Sequence, residues 1–455
     1  MARKRAIYIS YFSFFLLMFV FLIWKCHYGY ANLDESFYLT IPFRLCKGDC
    51  LIVDEWHPSQ LSSFLLYPVM KIFLWITNNS TEGIMLSFRY IFTTVWAANA
   101  YFLFFQLRSR SLSGAIFSSF FFLLYTPFGI MALSYNSMGI LLLLDACVLI
   151  ATAEKANGLQ NCLAGLLYAG AVLCCPHLII LYVLFTATTI VARKHFSGIV
   201  NIWLMATFGC IILFVVFCVY IFLHTSPTTL LKSIPELFND PEHTSQSVIQ
   251  VTNNYILSIT KCTRSFAPCL LIALIATVVS KLKNNKAVGF IVVIWMIIVI
   301  QIDFLIRKPY LNFLMFPINL IAPYCVLQSK EKKIQSLFWI VWIPGLIYTY
   351  CINLGSNQGF YAISSASTVM TIASVMTMIG FISELKHNTN NKILLFFSSA
   401  MVAILLGLQL CSEFVLRYSS VFWEDQGMKA QTVLVDSGTE KGIFITPILY
   451  ERYWL

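Results

Sequence analysis

Apolar runs of about twenty residues, the length that crosses a bilayer core, recur along this chain from residue 6 to residue 415. Backbone inside lipid must satisfy its own hydrogen bonds, so each run points to a helix. The stretches between them are too short for a soluble domain of ordinary size. Hydrophobic residues fill 59% of the 455 positions and charged ones only 11%, far from the balance of soluble proteins. The expectation is an all-α polytopic membrane protein.

Taking runs as spans and basic clusters as cytoplasmic markers places helices near residues 6–24, 84–107, 112–127, 137–153, 160–175, 178–192 and 199–223. Further spans fall near 266–280, 287–304, 310–328, 334–353, 359–383 and 393–415, which makes about thirteen. Arg3-Lys4-Arg5, Arg108 with Arg110, Lys155, Arg193-Lys194, Lys281 with Lys283 and Lys286, Lys330 with Lys332-Lys333, and Lys386 with Lys392 then share one side. The N-terminus is expected to be cytoplasmic and the C-terminus outside. The net charge of +10 comes largely from these topology clusters, so no nucleic-acid partner is expected. Ala6 to Trp24 follows three basic residues as a signal peptide would, but no small-residue cleavage site follows it. An uncleaved first helix is expected.

The transmembrane domain then covers residues 1–415, with long outer segments at 25–83 and 224–265 and an extracytoplasmic tail at 416–455. Within the first segment, Gln60 to Trp75 is apolar but short and contains Pro68 and Lys71, so it reads as a helix lying on the membrane surface. If it spanned, every later segment would invert. Pro227 to Ile259 reads as an amphipathic outer loop, and the tail as a small cap.

Most of the fourteen cysteines lie in apolar runs, where a thiol behaves as a small hydrophobe. Cys46 and Cys50, in CKGDC, are near enough to bridge in an oxidising compartment, and bridged and reduced forms both stay open. Asn78-Asn79-Ser80-Thr81 holds overlapping glycosylation sequons, which matter only in a secretory pathway. Short cytoplasmic loops without retention signals point instead to a bacterial plasma membrane.

The first outer segment carries two acid pairs, Asp34-Glu35 and Asp54-Glu55. A carboxylate just past a span is close to lipid and partly desolvated, which raises its pKa and suits it to accept a proton from a hydroxyl. An ordinary solvated loop acid is the alternative. Asp34, Glu35, Asp54, Glu55 and His57 also offer hard oxygens and one imidazole, a set that could hold a divalent metal. Phosphate loops, zinc helices, hydrolase nucleophiles and closely spaced His pairs are absent.

The order Asp34-Glu35-Ser36-Phe37-Tyr38, Gly48-Asp49 and Trp56-His57-Pro58, followed by a proline-containing surface helix, resembles the first outer loop of GT-C glycosyltransferases. These include the protein O-mannosyltransferases and the bacterial transferase that moves aminoarabinose onto lipid A. LAGLLYAGAVLCCPH, Leu163 to His177, is similar to the family's small-residue fifth helix. Arg307-Lys308-Pro309-Tyr310-Leu311 with Phe316-Pro317 is similar to its entry into a later helix. The resemblance covers most of residues 1–330.

It implies transfer of a sugar from a polyprenyl-phosphate donor to a hydroxyl of a lipid, glycan or protein acceptor on the outer face. Asp34, the first acid of the motif, would be the base, and Glu35 would orient the acceptor or partner a cation. Arg307 and Lys308 would neutralise the departing phosphate, unless they merely snorkel to headgroups. Arg89 is a second phosphate candidate. The chain departs from the family where many relatives carry a further acid: YTPFGIMALSYNSM, Tyr125 to Met138, has Asn136 there. An amide cannot act as a base, so either Asn136 hydrogen-bonds the sugar or acceptor, or Asp54 and Glu55 take the second acidic role.

A transporter or flippase of a lipid-linked or small polar substrate is the competing expectation. It should hold ionisable groups at the midplane on broken helices, whereas the acids here crowd the outer surface and Asp145 lies within a span. A non-catalytic membrane assembly factor is a third.

Overall fold

A computed structural model describes residues 2–30, 34–55, 57–153, 157–194, 198–238, 247–307, 315–356, 366–388, 391–419 and 427–454. Among them, seven helices are long and apolar enough to cross a membrane: Lys4–Lys25, Tyr135–Thr152, Ile199–His224, Lys286–Ile306, Lys332–Gly355, Thr368–His387 and Lys392–Ser419. Shorter apolar helices lie between them. The protein is an all-α membrane protein.

The helices that concern the site are α1 Ala2–Lys25, α2 Asp34–Lys47, α3 Ser63–Ile76, α4 Ile84–Leu107, α5 Leu112–Leu124 and α6 Tyr135–Thr152. Next come α7 Gly158–Cys174, α8 Ile179–Ala192, α9 Ile199–His224, α10 Pro227–Ser233, α11 Val248–Arg264, α12 Ala267–Leu282 and α13 Lys286–Arg307. The run expected at 84–107 is helical over that same range, yet it buries Arg89 and Asn99 and is absent from the seven. The run expected at 310–328 is not one helix. Its start lies outside the described residues, and the rest forms two short helices, Met315–Ile318 and Ile321–Gln328, on either side of Asn319. Trp342 donates to the Asn319 carbonyl at 3.1 Å, and Thr371 donates to its side-chain oxygen at 3.1 Å, so the break is itself hydrogen-bonded.

Segment 25–83 is more helical than its polarity implies, since α2 precedes α3. Leu66, Met70 and Leu74 of α3 are buried at one-turn spacing, while Ile72, Trp75 and Ile76 are exposed, as suits a helix with one face on protein and another toward lipid. The tail supplies the opposing core. Its short antiparallel pair, Val433–Leu434 with Phe444–Ile445, brings Val435, Ile443 and Ile445 against Leu39, Met70, Leu74 and Phe88. The Gly438 and Thr439 carbonyls accept the Gly83 and Met85 N–H groups at the start of α4, donors that a helix N-terminus otherwise leaves unmet. Residues 27–29 pair beside Phe444. The tail is therefore stitched to the ends of α1 and α4.

At the opposite end, Arg110 donates to Ser336 Oγ at 2.9 Å and to the Ala151 carbonyl, which gathers three helix turns. In the middle, α7 and α9 touch through backbone. A Cβ on Gly165 would meet the Ala206 carbonyl oxygen at 1.8 Å, and one on Gly209 would meet that of Cys162 at 1.9 Å. Small residues allow such contact where lipid provides no hydrophobic drive between helices. Gly209→Val should force the two helices apart and cost about 3 kcal/mol or more, read as a lower thermal midpoint in detergent. An unchanged midpoint would refute the close crossing.

Candidate active site at the start of the second helix

The two acids that open α2 meet opposite environments. Glu35 is buried, its side chain 2% exposed, and faces Arg89, also 2% exposed, from α4. Arg89 Nε donates to Glu35 Oε1 at 2.5 Å and Nη2 to Oε2 at 2.6 Å, a two-pronged match of guanidinium to carboxylate. The same guanidinium donates to the carbonyls of Cys26 and Gly29, each at 2.8 Å. One side chain thus ties the turn after α1, the start of α2 and the N-terminal part of α4.

Successive helical residues are about 100° apart, so with Glu35 fixed inward Asp34 keeps an exposed face. No hydrogen bond or ion pair satisfies its carboxylate among the described residues. Protein packed on its other side desolvates it and holds its pKa above the usual carboxylate range. Tyr38 follows one turn later on the same face. Burial, with Tyr135 and Asp34 adding to it, pushes the Tyr38 phenol well above its ordinary value, so it stays a proton donor.

Three other segments complete the cluster. The start of α6 is fixed by a reciprocal cap: Ser134 Oγ accepts the Ser137 N–H at 3.2 Å while Ser137 Oγ accepts the Ser134 N–H at 2.9 Å. That cap presents Tyr135 and Asn136 to α2. The Tyr38 and Tyr135 rings lie 5.9 Å apart at 70°, and the Asn136 amide is within hydrogen-bonding reach of both phenols. His57, from the loop before α3, sits 5.8 Å from Phe37 and 6.4 Å from Tyr135, ring to ring. Asn136 is 3% exposed, and its Oδ1 has no partner among the described residues. The cluster therefore offers a carboxylate and an orphaned amide oxygen, both acceptors, beside a phenol donor. That chemistry suits a ligand bearing hydroxyl groups.

The second acid pair does other work. Glu55 accepts from Arg44 Nη1 at 2.9 Å, and Arg44 Nε donates to Asp49 at 2.6 Å. Asp54 Oδ2 accepts the Cys50 N–H at 2.7 Å, closing the turn that Gly48, at φ +114°, begins. Glu35 and Glu55 are thus each held by an arginine, and Asp34, Glu35, Asp54, Glu55 and His57 do not converge as one donor set. Among the described residues no group of three His, Cys, Asp or Glu side chains does. Cys46 and Cys50 are separate thiols.

Arg89, read from sequence as a phosphate candidate, has its donors committed to Glu35 and two carbonyls. Arg307 ends α13, and its side chain and Lys308 lie outside the described residues, as does Trp56. Sequence reasoning did not assign Tyr135. It also overlooked charge in the membrane helices beyond Asp145: Asp303 lies in α13, and Glu413 and Arg417 lie one turn apart and buried in the helix Lys392–Ser419. Counting ionisable residues at helical spacing to the end of that apolar run would have found the last two.

Comparison of the chain with family models, with curated proteins and with solved structures found no match.

Removing one member of a buried pair strands the other charge, so Glu35→Ala or Arg89→Met should each cost about 3–5 kcal/mol. The double variant Glu35→Leu with Arg89→Met should be less damaging than either alone. Thermal unfolding of the three purified variants would show it, and additive losses would sink this account.

Proposed function

We propose that this protein is a GT-C-type glycosyltransferase that moves a sugar from a polyprenyl-phosphate donor to an acceptor hydroxyl at the outer face of a membrane. The observation that carries the reading is Asp34: a partly desolvated carboxylate, unpaired among the described residues, beside a phenol donor and an amide oxygen likewise without a partner among them, in the segment whose motif resembles that family. In this reading about thirteen helices cross the membrane, the N-terminus is cytoplasmic, and the tail lies outside with α2. The gathering of Arg110 with the 330–336 turn at the far end supports that orientation. A bacterial plasma membrane is the proposed setting.

Asp34 takes the proton of the acceptor hydroxyl as its oxygen attacks the anomeric carbon, and the bond from that carbon to the phosphate oxygen breaks. The leaving group is the polyprenyl phosphate, whose charge Arg307 and Lys308 would neutralise. Asn136 Oδ1 accepts a hydroxyl of the sugar or acceptor, and Tyr38 donates to one. Glu35 acts at one remove, because its bond to Arg89 fixes the turn from which Asp34 projects. The acceptor is a lipid, a glycan or a protein.

A transporter reading draws on a different observation, the polar side chains buried within membrane helices. Asn99, with its NH2 turned toward Asp145, donates to both carboxylate oxygens at 2.5 and 2.8 Å. Gln301 donates to Gln409 at 2.6 Å, which donates to Glu413 at 2.9 Å.

Membranes carrying wild type or Asp34→Asn, supplied with labelled polyprenyl-phosphate-sugar, separate the two. Loss of transfer by about a hundredfold or more at normal protein level is expected; undiminished transfer would remove Asp34 as the base. The acid limb of the wild-type pH profile should lie above the ordinary carboxylate range. Folding raises the Asp34 pKa, so the native state binds its proton more tightly than the unfolded chain does. Wild type and Asp34→Asn should therefore be equally stable at pH below the unfolded carboxylate value. As pH rises through the native pKa, wild type should become the less stable, and the opposite trend in midpoints against pH would contradict the assignment.

A further inference from the structure

The hairpin of α12 and α13 carries a slot that the transfer reading does not use. The two helices are joined by a tight turn and close on each other at Gly289, where an added Cβ would lie 2.3 Å from that of Ser280. Larger side chains stand on either side of this contact, Ile275 and Val279 from α12 and Val288 and Val292 from α13. Between them is a space of about 460 Å³, open at the surface of the helix pair. Its lining on α12 repeats at helical spacing from Ile272 to Lys283, so it follows one face of that helix. At 1.5 Å per residue it covers about 16 Å, close to the depth of one leaflet of a bilayer core about 30 Å thick.

The chemistry of the slot changes along that length. Its walls are aliphatic for most of the way, and at the turn it ends on Ser280, Lys283 and Asn285. Ser280 is occupied, since Gln328 Nε2 donates to its Oγ and to the Thr277 carbonyl, each at 2.9 Å, which also fixes this face of α12. Asn285 Oδ1 accepts the Val288 N–H at 3.4 Å and leaves its NH2 to donate. Lys283 is exposed and forms no ion pair among the described residues, whereas Lys286 is held by Glu384 Oε1 at 3.0 Å. An apolar channel one leaflet deep thus ends in two donors, one of them positively charged.

The surroundings say what fills it. Helix α13 is apolar and long enough to cross a membrane and α12 is one of the shorter apolar helices, so the slot faces lipid. Lys281, Lys283 and Lys286 form a basic cluster of the kind that marks the cytoplasmic side, whose leaflet carries anionic lipid. We propose that the slot binds one phospholipid with an anionic headgroup, its acyl chain between Val279 and Val288 and its headgroup phosphate on Lys283 and the Asn285 amide. None of these side chains belongs to the Asp34 cluster, so the proposal stands apart from the transfer reading.

The test titrates the purified full chain, in uncharged detergent, with phosphatidylglycerol, phosphatidylcholine or free glycerol phosphate and follows thermal unfolding. A ligand that binds only the folded chain raises the midpoint. Phosphatidylglycerol should act at a concentration about fivefold lower than phosphatidylcholine, and glycerol phosphate, which has no acyl chain, should not stabilise. Lys283→Gln should remove most of that preference. Val279→Trp, which fills the slot from an exposed position, should weaken binding of both lipids. Lys281→Gln, on an exposed lysine of the same cluster that does not line the slot, should change the preference less than Lys283→Gln does. Equal potency of the two lipids would overturn the proposal, as would stabilisation by glycerol phosphate equal to that by the lipid. Equal effects of Lys281→Gln and Lys283→Gln would also overturn it, since they would mean a diffuse attraction to the whole basic cluster. Should Lys283→Gln fail to fold, Val279→Trp decides alone, and lipid binding as tight as that of wild type overturns the proposal.

Discussion

The pairing of Glu35 with Arg89 fixes the geometry on which the candidate site depends. A buried guanidinium is costly unless its donors are met, and here two carboxylate oxygens and two carbonyls meet four of its five N–H groups. Because those partners come from α2 and from the segment that joins it to α1, the bonds set where α2 begins and which way it faces. The 100° step of the helix then turns the neighbouring acid outward. Two adjacent carboxylates in one sequence motif thus meet different environments without any difference in their own chemistry: one is anchored and the other is left without a partner among the described residues.

The site's second half is fixed by an independent device. The Ser134–Ser137 cap defines the first turn of α6, and that turn delivers Tyr135 and Asn136 to the face that Tyr38 occupies. The tail contributes at a distance, since its hairpin fills the core between α2, α3 and α4. Removing it would uncover Leu39 and Phe88, one helical turn or so from the Asp34 cluster and from Arg89. The tail is therefore part of the support for the segment between α1 and α4.

How much of this was legible in sequence depends on the range of the interactions. Helices in apolar runs satisfy their backbone locally, so composition and spacing alone located them, including α4 with its polar insertions. Asp34 stood out because its neighbours form a contiguous motif. The pairing that distinguishes Glu35 from Asp34 joins residues 54 positions apart, and no local pattern contains it. For the same reason Asp54-Glu55 stayed open for the second acidic role, although Arg44 and the turn at Gly48 already engage it. The break at Asn319 was hidden because its flanks are apolar on both sides and only tertiary hydrogen bonds from Trp342 and Thr371 make it tolerable.

Charge inside the membrane helices gives the last constraint. Asp145 lies against an amide, and Glu413 at the end of a glutamine ladder, each carboxylate with a hydrogen-bond donor at hand. Arg417 differs in keeping a buried N–H without an acceptor among the described residues. Apolar residues of similar volume would often hold that position at least as well as a buried cation with one unmet donor, even with Glu413 one turn away, so packing alone does not account for it.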